Sequence, residues 1–174
     1  MRLSVALRAR PLHIGDDVMA MRNNKRGRPK DAIAMLKADH QKVRKLFKEY
    51  EAARDRETRR SVANLVFVEL ETHAQLEENV FYPAVNEEIE DGPELVKESL
   101  EEHQTMKNLI QELRAMGSNT KAFDVKFQEL IRHVEHHVEE EETEMFPLAE
   151  EELEEDMKDL RDEMQELKEQ ILAS

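Results

Sequence analysis

The sequence predicts an all-α protein: an antiparallel, up-down four-helix bundle, preceded by a flexible basic leader and followed by an acidic helix. Three observations carry this. Apolar residues recur at alternating steps of three and four over four separate stretches, the period of one helical face. Charged residues make up 38% of the chain while Gly is 4 and Pro is 5, which suits helices with short connections better than strands and turns. The chain also repeats itself: "HAQLEENVFYP" from His73 returns as "HVEEEETEMFP" from His137.

The elements follow in order. Residues 1–30 show no helical period, contain "NNKRGRPK", and read as a flexible leader, with Met19 and Met21 as alternative starts. Asp31 is a good N-cap for a first helix, "AIAMLKADHQKVRKLFKEYEAA", whose face is Ile33, Leu36, His40, Val43, Phe47 and Tyr50. A second helix spans about Thr58 to Val80 and presents Val62, Val66, Glu69, His73, Leu76 and Val80. "DGPE" at Asp91–Glu94 is a turn, with Pro93 placed to open the third helix. That helix presents Val96, Leu100, His103, Met106, Ile110 and Leu113, and ends at Gly117, Ser118 and Asn119. The fourth presents Phe123, Phe127, Leu130, Val134, His137 and Glu141 and stops near Pro147. The bundle therefore covers 31–147.

Residues 148–174 form a further amphipathic, acidic segment. Leu153, Met157, Leu160, Met164, Leu167 and Ile171 are spaced 4, 3, 4, 3, 4, a short coiled-coil seam. The seam serves either a helix docked on the bundle or a homodimer through the Leu153–Ile171 helix.

Composition excludes several chemistries. With no cysteine there are no disulfides, thiolate metal sites or iron–sulfur clusters, and histidine and carboxylate remain as metal ligands. No apolar run approaches about 20 residues, so no span of a membrane is expected, and the first 20 residues lack a signal-like apolar block. A cytoplasmic protein is the expectation. Of the net charge of −14, the leader holds +6 and the rest −20. Such an acidic body repels nucleic acid and anionic membrane.

Each bundle helix carries one histidine in an otherwise apolar stripe: His40, His73, His103 and His137. Glu77 and Glu141 follow the second and fourth by four residues, so each His-x-x-x-Glu pair shares one helical face. Burying an ionised carboxylate without a partner is strongly unfavourable, and a cation cancels that penalty. "DHQKVRKLF" at Asp39 resembles "EHQTMKNLI" at Glu102, so His40 maps onto His103 at an offset of 63 and His73 onto His137 at 64. Two hairpins would thus set four imidazoles and two carboxylates around one centre. That set suits a pair of iron ions with bridging carboxylates better than a closed, four-ligand zinc site; manganese remains an alternative. A lone core histidine is usually satisfied by a backbone carbonyl, but four in equivalent positions, two with paired glutamates, ask for another reading. His136 falls off the stripe and reads as solvated, as do Glu78 and Glu142, which replace their neighbours as ligands only if the helices rotate. Tyr82 reads as packing, or as a hydroxyl bonded to a ligand; Pro83 and Pro147 read as helix terminators.

The order His, His-x-x-x-Glu, His, His-x-x-x-Glu, with "FYP" and "MFP" closing the second and fourth helices, resembles the hemerythrin HHE-type domain family from about Asp31 to Pro147. The resemblance implies a four-helix bundle around a non-haem di-iron centre, carboxylate- and oxo- or hydroxo-bridged. It implies His40, His73, Glu77, His103, His137 and Glu141 as ligands, with Glu77 and Glu141 bridging. Oxygen-carrying hemerythrins place another histidine one turn after the third-helix ligand, where this chain has Lys107. His133, one turn before His137, is a candidate for that role, and Glu69 is its counterpart before His73; both are either ligands or groups that orient ligands.

The expected function is therefore binding or sensing of O2, NO or peroxide, or iron handling. The alternatives are a peroxide-decomposing, catalase-like di-iron enzyme and an iron- or oxygen-responsive regulatory module. In the leader, Arg26-Gly27-Arg28-Pro29 weakly resembles the AT-hook, a minor-groove arm. The acidic body argues against nucleic acid as a partner.

Overall fold

A computed structural model describes residues 29–116 and 120–173. The leader through Arg28, with Arg26, Gly27 and Arg28, residues 117–119 and residue 174 lie outside the described residues. Helix α1 (Ala32–Ala52) is capped by Asp31, whose carboxylate accepts from the Ala34 amide at 2.7 Å. Helix α2 (Arg56–Leu76) is capped by Asp55, and α5 (Lys121–Glu140) by Thr120. Helix α4 (Gly92–Ala115) opens with Pro93. Gly92 lies so close to the Val85 carbonyl that any side chain there would collide with it, which makes the turn into α4 specific for glycine.

The second and fourth bundle helices do not stop at their prolines. Each passes through a π-helical turn, Glu77–Phe81 and Glu141–Met145, into a short helix, α3 (Tyr82–Glu88) and α6 (Phe146–Glu152). In a regular helix, Pro83 or Pro147 would lack an amide and crowd the carbonyl four residues back. Here the widened turn comes first: the Tyr82 amide donates to the Glu77 carbonyl, and the Phe146 amide to that of Glu141. The prolines thus follow a π turn, and the helices run on to Glu88 and Glu152.

Two apolar clusters form the core. One contains Val43, Phe47, Phe67, Phe127 and Leu130; the other contains Leu36, Leu76, Phe81, Val96 and Phe146. Along α1 the chain passes from the second cluster to the first, along α2 back again, along α4 to the first, and along α5 and the π turn after it back to the second. That alternation is the up-down-up-down order. On every pass a histidine lies at the crossing between the clusters. In α4 the buried position before His103 is Ser99, not Leu100, which is 42% exposed. The packed face is thus one residue off the expected stripe there.

Helix α7 (Met157–Ala173) is separated from α6 by a turn, so Leu153–Ile171 is not one continuous helix. Leu153, Met157 and Met164 are buried against the chain's own second cluster, and Leu160, Leu167 and Ile171 are partly buried on it. Its contacts fall on α1, α2 and the Glu77–Phe81 turn. Of the two readings of the seam, docking is realised. The homodimer expected through Leu153–Ile171 loses its surface, because the apolar stripe is covered by the bundle of the same chain. Among the described residues no helix is long and apolar enough to cross a membrane.

Candidate metal centre

The layer between the two apolar clusters is polar. His40, His73, Glu77, His103, His137 and Glu141 are each 6% exposed or less. All four imidazoles turn Nε2 inward: His40 and His73 approach to 3.1 Å, and His103 and His137 to 3.0 Å. Glu77 lies between the two pairs, with Oε1 3.0 Å from His73 Nε2 and Oε2 3.3 Å from His103 Nε2. Glu141 Oε2 is 3.3 Å from His40 and 3.6 Å from His137. The donor atoms fall into two groups, each compact enough for one cation: His40, His73, Glu77 and Glu141 on one side, and Glu77, His103 and His137 on the other. Glu77 belongs to both.

The outward nitrogens are also organised. His40 Nδ1 meets Glu142 at 2.9 Å, His103 Nδ1 meets Glu78 at 2.8 Å, and His137 Nδ1 meets Glu102 at 2.8 Å. A carboxylate on Nδ1 orients the ring and favours a proton on that nitrogen, so that Nε2 is the nitrogen presented to the layer. Glu142 and Glu78 each cross from the opposite hairpin, and each is held by a cation, Arg44 at 3.3 Å and Lys107 at 2.6 Å. Arg44 and Lys107 are themselves 63 residues apart. Lys107 therefore anchors the carboxylate behind His103. The fourth imidazole differs: Asp39 stands 3.8 Å from His73 Nδ1, which has no hydrogen-bond partner.

The electrostatics ask for positive charge. Burial pushes the His73 imidazole down, but Glu77, Asp39 and Glu141 outweigh it and carry it up to about 10. His103 is likewise lowered by burial and raised more by Glu77, Glu78 and Glu141, to about 9. Burial opposes ionisation of Glu77, yet His73 and His103 hold it well below the usual carboxylate range. Both Glu77 oxygens and Glu141 Oε2 are buried without a hydrogen bond. An imidazole- and carboxylate-rich layer with three buried anionic oxygens fits metal cations.

Tyr82 completes the layer. Its hydroxyl donates to Glu141 Oε1 at 2.9 Å and lies 3.3 Å from His103 Nε2. Burial, then Glu77 and Glu141, push the phenol well above its ordinary value, so it keeps its proton. At the matching position of the other hairpin, Phe146 stacks on His40 with ring centroids 5.8 Å apart and offers no hydroxyl. Beside the imidazoles a cavity of about 30 Å³ opens, walled by Val43, Leu70, Ala74, Met106 and Val134. It has room for about one water-sized or diatomic molecule.

Two candidates take other places. His133 is exposed, because at its level the inward positions are Leu130, Ile131 and Val134. Glu69 turns to Lys42 at 2.7 Å rather than to the centre. Neither faces the layer, so neither stands where a ligand or a group orienting a ligand would: His133 lies at the surface and Glu69 is held by Lys42. His136 is 63% exposed and groups with Glu102 and Glu140 at the surface. The carboxylates on Nδ1 escaped the sequence reading, which treated Glu78 and Glu142 as solvated. The signal was present in the repeat: an acid directly precedes His40 and His103, and a second acid directly follows Glu77 and Glu141.

Residues 31–149 match the family model described as the hemerythrin HHE cation binding domain. An uncharacterized hemerythrin-like protein of Schizosaccharomyces pombe is 30% identical over 119 residues, which cover 68% of this chain and 59% of that protein. A DNA nickase of Nostoc sp. is 29% identical over 112 residues, covering 64% of this chain and 31% of that one. The matched stretch thus spans less than two thirds of either relative. The crystal structure of a hemerythrin HHE cation binding domain-containing protein from Mycobacterium kansasii superposes with a TM-score of 0.71 at 22% identity, over 81% of this chain and 86% of that chain. This likeness concerns the fold.

Proposed function

Because the chain belongs to the hemerythrin HHE cation binding domain family, we propose that its polar layer holds two iron ions and binds a small ligand, O2, NO or peroxide, in the adjoining cavity. The observation that carries this is Glu77: wholly buried, with two unbonded oxygens, each facing the imidazole of a different pair. A carboxylate so placed suits a bridge between two cations. When bound, the irons would supply redox chemistry and an open position for the ligand. His40, His73, His103 and His137 would hold them through Nε2, with Glu77 and Glu141 between. The chain itself supplies the apolar cavity wall that excludes water, and the Tyr82 hydroxyl, a proton donor inside the layer.

The test is metal content together with visible absorption, recorded without air and then under oxygen or NO. We expect two irons per chain and a band that changes with the gas, both lost in Glu77→Gln. Zinc alone at unit stoichiometry, with no gas-dependent band after iron loading, contradicts the reading.

Peroxide decomposition is a second reading, favoured by one observation: a protonated phenol lies within 3.3 Å of an imidazole of the layer. It predicts oxygen release from added hydrogen peroxide by the iron-loaded protein and a lower rate in Tyr82→Phe. An unchanged rate in that variant removes the reason for preferring it.

A further inference from the structure

The four imidazoles are not backed alike. Three have a carboxylate 2.8–2.9 Å from Nδ1, whereas the Asp39 carboxylate is 3.8 Å from that of His73. In the other hairpin the equivalent of Asp39 is Glu102, which does reach its imidazole, His137. Two things differ: Asp39 is one methylene shorter than Glu102, and helix α7 packs against it. Lys168 donates to both Asp39 oxygens, at 2.8 and 2.7 Å. This pair joins the last turns of α7 to α1. Packing there is thinner than upstream: Met164 is fully buried, Leu167 is only partly buried, and Leu172 is 62% exposed.

We propose that Lys168 is a positioning residue that draws Asp39 away from His73, so that docking of the C-terminal helix weakens one of the two metal positions relative to the other. The inference rests on the two-metal reading above. A carboxylate on the far nitrogen of a ligating imidazole raises its basicity and fixes its orientation, and its loss typically lowers metal affinity by about 10- to 100-fold. With Lys168 in place, both Asp39 oxygens accept from an ammonium on the side of α7, and the carboxylate stops 3.8 Å short of His73 Nδ1. Lys107 holds both oxygens of Glu78 as well, but there the carboxylate still reaches His103. Without the ammonium, the donor facing this largely buried carboxylate is His73 Nδ1. The position built on His40 and His73 would then have a carboxylate behind both imidazoles, as the one built on His103 and His137 has. Helix α7 is in this way a lever: whatever lifts its end closes the fourth carboxylate–imidazole pair.

The shorter side chain of Asp39, one methylene less than Glu102, is the competing explanation for the gap, and it makes a different prediction. The experiment uses full-length protein loaded with ferrous iron without air, challenged with a chelator and followed by iron release and visible absorption. Wild type should release one iron distinctly faster than the other. Lys168→Met, which keeps the apolar stem, should slow that faster phase about tenfold and shift the absorption band. In an Asp39→Asn background Lys168→Met should have no effect, so that the double variant matches Asp39→Asn alone. A purely structural Lys168 gives the opposite sign, faster release together with a lower melting temperature of the metal-free variant. Release unchanged or faster in Lys168→Met overturns the proposal and leaves the two-metal reading standing. Wild type that takes up no iron overturns both.

Discussion

Glu77 and its neighbours show how a few side chains decide the chemistry of the whole layer. In the metal-free protein the charge that balances Glu77 comes from protons on His73 and His103, whose imidazoles are raised to about 10 and about 9. The sign follows from linkage. A group with a raised folded pKa contributes its stability fully below its unfolded value, about 6.5, and loses it as pH rises through the folded one. The metal-free protein should therefore lose melting temperature between about pH 6.5 and 10, and the metal-loaded protein should lose less over that range. Thermal unfolding of both forms across the window checks it; equal slopes count against a cationic requirement. The carboxylates on Nδ1 make a second prediction. Glu142→Gln or Glu78→Gln should weaken metal retention by about 10- to 100-fold while the helices stay folded, as read by chelator competition and circular dichroism. At this scale the sequence was informative about the inward groups, because a histidine or glutamate in an apolar stripe stands out. It marked Asp39, Glu78, Glu102 and Glu142 only through the repeat, since an acid on a polar face looks the same whether it meets water or an imidazole from another helix.

Among the elements, the π turns are the feature that periodicity could not deliver. "FYP" and "MFP" signal a break in the regular ladder, and a break was read as an end. The helices instead absorb each proline by widening one turn, and the widened turns begin at Glu77 and Glu141, the acids of the centre. Pro83→Ala restores an amide and removes the crowding that favours the π turn. It should leave helix content unchanged while loosening metal retention, because Glu77 would turn relative to His73. Retention identical to wild type would show that the π turn does not depend on its proline. Helix α7 illustrates the opposite case. Its seam was plain in the sequence, yet the spacing of Leu153 to Ile171 says only that one face is apolar, not what covers it. The cover is the second apolar cluster, in which Met164 is fully buried. Met164→Ala should lower stability by about 2–5 kcal/mol, measured by denaturant unfolding.

For the molecule as a whole, the arrangement is two apolar clusters separated by a polar layer that internal hydrogen bonds satisfy only in part. Three carboxylate oxygens of that layer face imidazole nitrogens rather than amides, hydroxyls or cationic side chains. The repeat at offsets of 63 and 64 foretold both the bundle and its near two-fold arrangement of acids and imidazoles. It could not foretell the departures from that symmetry, Tyr82 against Phe146 and Lys168 on one side alone, which arise where the two hairpins meet different neighbours. Binding of a cation to the folded state alone stabilises it by about 2.7 kcal/mol at a hundredfold excess over the dissociation constant. The most direct measurement is a calorimetric titration of metal-free protein with ferrous iron in the absence of air, paired with its melting temperature before and after. Two ions per chain, and a higher melting temperature once they are bound, are the expected result. Uptake of none, with a melting temperature that does not move, would contradict it.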